Sequence, residues 1–143
     1  MSEASVEVEG SIVSKISNGL LILLAVAQND VETDVEWLTK KIVSLRIFAD
    51  SDGLMNRSVQ ETGAEIMLIS QFTLLASTKK GRRPSFIQSA KPEIAKPIFE
   101  KVTQRLDHLN SKPTATGIFG ADMKVQLVND GPVTIIIDSK NKE

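Results

Sequence analysis

The chain has 143 residues, a net charge of −1, 41% hydrophobic and 24% charged residues. That length can bury one core without metal or disulfide staples, and the charge balance excludes a surface built as a whole to coat nucleic acid or anionic membrane, so a polyanion would have to be met by a local patch. There is no cysteine and a single histidine, His108, which excludes a thiol nucleophile, a disulfide framework and a Cys-ligated metal, and sharply limits His-dependent chemistry.

Ala4, Val6 and Val8 alternate with Ser5, Glu7 and Glu9, the period of a half-buried strand, and Gly10 breaks it. Ile12 to Ile16 reads as a second, weaker strand, with a tight-turn signal at Asn18-Gly19. Leu20 to Ala27 is apolar without alternation, as in a strand covered on both faces. It is the longest apolar run, well short of the roughly 18 residues of a membrane helix and too deep in the chain for a signal peptide, so a soluble, cytoplasmic protein with no membrane partner is expected.

A helix follows Asn29-Asp30. Thr33 and Glu36 have capping-box spacing, and Val35, Leu38, Ile42 and Leu45 share one face, with Trp37 at its edge. Arg46-Ile47-Phe48 reads as a short strand. The loop Asp50-Ser51-Asp52-Gly53 lacks the ligand spacing of a calcium loop and reads as a solvated turn. Leu54 to Val59 reads as another short strand, Glu61-Thr62-Gly63 as a turn, and Ala64 to Leu74 as a buried strand.

That last strand ends in a change of chemistry. After Ile66-Met67-Leu68-Ile69 come Ser70, Gln71, Phe72 and Thr73. Hydrogen-bonding groups clustered at a strand end, ahead of a basic loop, suit a ligand. Lys79, Lys80, Arg82 and Arg83 around Gly81 form the one dense cationic cluster, either a solvated loop or a contact for phosphates. Pro92 suits a first helical turn. Ile94, Ile98, Val102, Leu106 and Leu109 then keep helical spacing, with a kink or a later start expected at Pro97. His108 lies where a helix C-terminus favours a cation. Asn110 to Pro113 reads as a loop, and Gly117-Ile118-Phe119-Gly120-Ala121 as a bulge or a close backbone approach to a ligand. Met123 to Leu127 alternates as a strand, Asn129-Asp130-Gly131-Pro132 is a turn, Val133 to Ile137 reads as a last strand, and Ser139 to Glu143 as a disordered tail.

The order predicts one α+β domain over residues 1–143, with a mainly antiparallel sheet curling toward a barrel and two main helices. Exposed strand edges would favour a homodimer. No metal or other cofactor is indicated.

Three segments resemble the D-aminoacyl-tRNA deacylase family: Ser70-Gln71-Phe72-Thr73-Leu74, Lys80-Gly81-Arg82-Arg83-Pro84-Ser85-Phe86 and Asn129-Asp130-Gly131-Pro132-Val133-Thr134. Leu45-Arg46-Ile47-Phe48 and Gly117 to Met123 are lesser matches in the right order. Members of that family begin with a further short strand bearing a basic residue thought to hold the Gly-Pro segment; Met1 here falls where that strand would be ending. The resemblance implies a barrel-like α/β homodimer with active sites at the subunit interface. It implies hydrolysis of the ester joining a D-amino acid, or glycine, to the terminal adenosine of tRNA. It further implies a cis bond at Gly131-Pro132, reaching with Val133 and Thr134 into the other subunit's pocket to exclude L side chains. Phe119, Gly120 and Met123 would line the adenosine pocket, and Lys79, Lys80, Arg82 and Arg83 would hold tRNA phosphates.

Ester hydrolysis needs an activated water and a stabilised oxyanion. With no cysteine, no G-x-S-x-G elbow and no credible histidine base, the sequence argues against a Ser-His-Asp triad. Thr73 and Thr134 are candidate nucleophiles, but neither has a base near it in sequence. Backbone amides of Phe72 and Thr73, beside Ser70 and Gln71, fit better as an oxyanion hole, each donor typically worth about 3–4 kcal/mol. The resemblance suggests that the substrate's own ribose 2′-hydroxyl helps activate the water. The rival reading is a non-catalytic nucleic-acid-binding dimer using the 79–83 loop.

Overall fold

The computed structural model describes residues 1–142. The alternating segment Glu3–Val8 is strand β1, and Ser11–Ile16 is β2, paired to it antiparallel with a bulge between Val6 and Glu7. Their turn, Glu9-Gly10, has φ of 51° and 81°, the positive pair that a two-residue type I′ hairpin requires. Gly19–Leu24 is β3, Glu32–Ser44 is α1, and Phe48–Ala49 (β4) pairs with Met55–Arg57 (β5) in a small hairpin. Val59–Thr62 forms the short α2, Glu65–Ser70 is β6, and a 3-10 turn covers Phe72–Leu75. Pro92–Asn110 is α3, followed by β7 (Ala115–Thr116) and β8 (Lys124–Val128).

The chain stacks in three layers, with β6 in the middle one. β3, β6 and β7 form a parallel sheet in that order, while β2, β1 and β8 form an antiparallel one. Ile66 and Leu68 of β6 face the helices, among Val35, Ile42, Val59, Phe99, Val102 and Leu106. Met67 and Ile69, on the opposite face, pack against Ala4, Val6 and Ile16 of the second sheet. All four consecutive β6 side chains are buried, and each contributes about 1.5–3 kcal/mol of hydrophobic stabilisation. β3 and β6 come so close that a Cβ on Gly19 would lie 2.0 Å from the Glu65 carbonyl oxygen, so only glycine fits there.

Several expectations are corrected. The β2-β1-β8 and β4-β5 pairings are antiparallel, but a separate parallel sheet stands beside them, because the return through α1 brings β6 back beside β3 in the same direction. The two main helices form as α1 and α3, with the four-residue α2 beside them, but among the described residues no sheet closes into a barrel. β6, not β3, is the strand covered on both faces; β3 lies at a sheet edge and leaves Leu23 exposed. The first turn of α1 starts at Glu32, and its capping carboxylate is Asp34, whose Oδ2 accepts from the Val31 amide at 2.9 Å. The expected Thr33 and Glu36 cap is absent.

A reciprocal cap forms instead at α2. Ser58 Oγ accepts from the Glu61 amide at 3.3 Å, and Glu61 Oε2 accepts from the Ser58 amide at 2.6 Å. Residues 61–63 are therefore the end of a helix closed by Gly63 at φ 64°, not a free turn. Helix α3 runs unbroken through Pro97 and buries Ala95 and Phe99 where Ile94 was expected inward. The 64–74 strand stops at Ser70. Val133 to Ile136 stay exposed and 133–137 form no ladder, with no neighbouring strand among the described residues, while Ile137 packs against the core under the helices. The tail, expected to be disordered, is tied down: Lys140 Nζ donates to Asp34 Oδ2 at 2.7 Å, and the Lys142 ammonium lies 4.8 Å from the Trp37 ring centroid; Glu143 lies outside the described residues. No helix among the described residues is long and apolar enough to cross a membrane.

Candidate active site

β6 delivers the chain to its C-terminal edge, where ligands gather on parallel sheets. Ser70 sits opposite Leu24, and the Gln71 amide donates to the Leu24 carbonyl at 2.7 Å. The backbone then tightens into the 3-10 turn, whose first internal bond runs from the Leu74 amide to the Gln71 carbonyl at 3.2 Å. The amides of Phe72 and Thr73 precede that bond, so the turn itself offers them no acceptor. Two adjacent N–H groups at the rim of a sheet are suited to an oxygen that gains negative charge.

The side chains around them are held in place. The Gln71 side-chain amide donates to Thr73 Oγ1. Ser89 Oγ donates to the Phe72 carbonyl at 3.0 Å. The exposed Phe72 ring meets Phe86 edge-on, with centroids 5.2 Å apart. Residues 86–90 are in turn bonded to the segment after β3: Ala90 N to Val26 O at 2.9 Å, and Gln28 N to Gln88 O at 3.2 Å. Ser89 carries no sequence signal, being one serine among many. Phe86 lies within the basic-loop motif, where the sequence pattern gives no sign of this ring contact.

The basic loop closes on a pair of backbone bonds, Ser77 N to Ser85 O at 2.8 Å and Ser85 N to Ser77 O at 2.9 Å. Lys79, Lys80, Arg82 and Arg83 all stand exposed between those two serines, and among the described residues none of them forms an ion pair. Their charge is free to meet an outside anion, a few residues from Phe72.

The other expected site residues divide. Phe119 turns toward α3, its ring edge-on to Phe99 at 5.8 Å, and reaches the Val26, Ala90 and Ala95 cluster that backs the site. Beside it lies a cleft of about 280 Å³ that includes Lys96, Glu100, Thr103 and Gly117. Met123 points the other way, into the β1–β2 side of the core, so tight against Gly117 that an added Cβ would meet its sulfur at 2.4 Å. Gly120, at φ 78°, is exposed between them. The two side chains thus share no single pocket wall, although the backbone joining them is open to one side.

The Gly131-Pro132 bond is cis, and Gly131 has φ 144°, a value that disfavours any residue with a Cβ. Thr134 Oγ1 accepts from Asn129 Nδ2 at 3.1 Å, bracing the turn. Val133 and Thr134 are exposed. Among the described residues no hydrogen bond or ring contact joins 131–134 to 70–73, so one copy of the chain does not bring these two motifs together.

His108 is exposed in the last turn of α3, away from these groups. A larger polar depression, about 560 Å³, lies around Ser17, Thr62, Glu65 and Lys112 at the opposite end of β6. There Glu65 accepts from both the amide and hydroxyl of Ser17 at 2.8 Å, which holds its carboxyl below the usual range. Its groups are bonded to one another and it is remote from the Phe72 amides.

Comparison with known proteins converges on one family. The family described as D-Tyr-tRNA(Tyr) deacylase matches residues 1–138. A protein of Parabacteroides distasonis named D-aminoacyl-tRNA deacylase is 55% identical over 143 residues, covering 100% of this chain and 95% of that one. One of the same name from Bacteroides thetaiotaomicron is 56% identical over the same span. Among solved structures, one named c-Myc DNA Unwinding Element Binding Protein superposes with a TM-score of 0.87 at 34% identity, covering 94% of this chain and 91% of that one. A probable eukaryotic D-amino acid tRNA deacylase, at 13% identity and a TM-score of 0.76 over 88% of each chain, shares the fold. On the length of the match and the identity of these relatives, the chain belongs to the D-Tyr-tRNA(Tyr) deacylase family.

Proposed function

We propose that this protein hydrolyses the ester between a D-amino acid and the terminal adenosine of tRNA, removing wrongly charged D-residues before translation uses them. The observation that carries the reading is the pair of amides at Phe72 and Thr73, left without acceptors by their turn, in a chain of this family. Water attacks the ester carbonyl, and the resulting oxyanion sits on those two amides. The ester C–O bond then breaks, the adenosine oxygen takes up the proton, and free D-amino acid and tRNA leave. The substrate's 2′-hydroxyl assists the water, and the protein mainly positions the ester, with Ser70 and Gln71 framing the turn.

In this reading the protein works as a single-domain cytoplasmic homodimer without a cofactor. Gly131 of the partner subunit and Pro132 of the partner subunit enter the pocket, flanked by Val133 and Thr134 of the same arm. The Gly131 carbonyl holds the substrate's α-amino group, and the rigid turn leaves no space for an L side chain. Selection by clash instead of by contact lets glycine through and makes the identity of a D side chain matter little. The exposed apolar groups at both motifs support pairing of two copies: Phe72, Leu74 and Ile87 on one side, Val133, Ile135 and Ile136 on the other. Backbone around Phe119, Gly120 and Met123 borders the adenosine, and Lys79, Lys80, Arg82 and Arg83 take the acceptor-stem phosphates.

Incubation with D-tyrosyl-tRNA and L-tyrosyl-tRNA tests this directly. Rapid release of D-tyrosine with the L-ester intact is the expected result; equal hydrolysis of both, or of neither, would sink it. A second reading, a nucleic-acid-binding dimer without catalysis, draws on the four unpaired cations of the 79–83 loop and on a neighbour named for binding a DNA element. Salt-dependent binding of tRNA or DNA without ester cleavage would favour it.

A further inference from the structure

Ser89 Oγ donates to the Phe72 carbonyl oxygen at 3.0 Å. That oxygen and the Thr73 N–H are the two ends of one peptide group, planar and trans, so they point in opposite directions. Whatever fixes the oxygen therefore also fixes the line along which the Thr73 amide points. A hydroxyl seventeen residues further along the chain thus acts on one of the two donors at the rim of β6.

The bonds around the turn have different tasks. The Gln71 amide, donating to the Leu24 carbonyl at 2.7 Å, ties the start of the turn to β3. The bonds from the Leu74 amide to the Gln71 carbonyl at 3.2 Å, and from the Ala76 amide to the Thr73 carbonyl at 3.1 Å, hold the peptides of the turn relative to one another. The Phe72 ring meets Phe86, but a ring can turn about its side-chain torsions without carrying the backbone with it. The Ser89 bond reaches the middle peptide from outside the turn and ties it to the body of the protein. Its donor is firmly mounted. The Ser89 amide donates to the Phe86 carbonyl at 3.0 Å, and the residues on either side are bonded to the segment after β3, Gln28 N to Gln88 O at 3.2 Å and Ala90 N to Val26 O at 2.9 Å. Ala90 is buried. With its backbone so held, Ser89 has only its χ1 and its hydroxyl rotor left to set.

We infer that Ser89 is a positioning residue for the hydrolysis: by holding the Phe72 carbonyl it aims the Thr73 amide at the oxyanion. The inference rests on the reading of the Phe72 and Thr73 amides as the oxyanion donors. The Phe72 N–H belongs to the preceding peptide, whose carbonyl is bonded within the turn. Loss of the Ser89 hydroxyl therefore disturbs the Thr73 donor and spares that of Phe72. A donor serves an oxyanion only over a narrow range, about 2.7–3.1 Å, and a displacement of about an ångström costs up to about a hundredfold in rate. A carbonyl that accepts a hydrogen bond also polarises its peptide, which makes the N–H at the other end a stronger donor.

The test measures single-turnover hydrolysis of D-tyrosyl-tRNA by the full chain and by Ser89→Ala and Ser89→Thr. Beside it, NMR follows the amide protons of Phe72 and Thr73 as a phosphonate analogue of D-tyrosyl-adenosine, with anionic oxygens in place of the ester carbonyl, is bound. In the parent both amide protons are expected to move downfield. In Ser89→Ala the saturating rate is expected to fall about tenfold or more with the half-saturating concentration unchanged, and the Thr73 shift to shrink while the Phe72 shift is kept. Ser89→Thr, which retains the hydroxyl, restores both. A parental rate in Ser89→Ala, a loss confined to substrate affinity, or an undiminished Thr73 shift would overturn the role of Ser89 and leave the oxyanion reading standing. So would a Ser89→Thr chain as slow as Ser89→Ala. If the Thr73 amide proton does not respond to the phosphonate in the parent, the oxyanion reading itself fails and takes the role of Ser89 with it.

Discussion

A threonine hydroxyl attacks an ester only when a base takes its proton, and neither candidate threonine has one. Thr73 Oγ1 accepts a hydrogen bond from Nε2 of the Gln71 side chain, and Thr134 Oγ1 accepts one from Asn129 Nδ2; no carboxylate or imidazole is bonded to either among the described residues. Thr73→Ala therefore keeps activity within about tenfold of the parent in single-turnover hydrolysis of D-tyrosyl-tRNA, since the backbone donors remain. A loss beyond about a thousandfold would return the hydroxyl to the role of nucleophile. The scarcity of His and Cys was enough to demote the side chains from sequence alone. The support beneath Phe72 was not legible, because Ser89 and Leu24 act through a hydroxyl and a carbonyl whose partners lie 17 and 47 residues away. No local pattern records such pairings.

Among the elements, α3 shows how far periodicity reaches and where it stops. Ile94, Ile98, Val102, Leu106 and Leu109 keep helical spacing, and so do Ala95, Phe99, Val102 and Leu106. The structure buries the second set, leaving Ile94 47% exposed and Leu106 at 0%. The two stripes share their C-terminal half and lie one residue apart at the start, so spacing alone does not choose between them. What chooses is the close fit of small Ala95 beside Val26 and Ala90, and of Phe99 against Phe119. Leu106→Ala should cost about 2–5 kcal/mol in urea unfolding, as a fully buried truncation, and Ile94→Ala about 0.5 kcal/mol or less. Equal costs would mean that the buried stripe has been misassigned. The hairpins and β6 were legible for the opposite reason: alternation, turn residues and an unbroken apolar run are each sufficient locally. The tail was not, since Lys140 gains its order from Asp34, 106 residues earlier.

Across the whole molecule, the parallel sheet was half visible: two apolar runs without alternation are what parallel strands look like, yet only the α1 crossover fixes their direction. The 133–137 segment poses the larger question. It has the sequence of a strand, no strand beside it among the described residues, and Ile136 95% exposed. Apolar exposure of this kind is seldom left to water, and a second copy covering it would also carry Gly131 and Pro132 to the Phe72 amides they do not reach within one chain. Ile136→Asp places a charge in the middle of that surface, where pairing would have to desolvate it. Sedimentation is then expected to show a dimer for the parent and a monomer for the variant, with the circular dichroism of the fold retained and D-tyrosyl-tRNA hydrolysis lost along with the pairing. Full activity from a monomeric variant would mean that each chain holds a complete site, and the cross-subunit account of chiral selection would have to be abandoned.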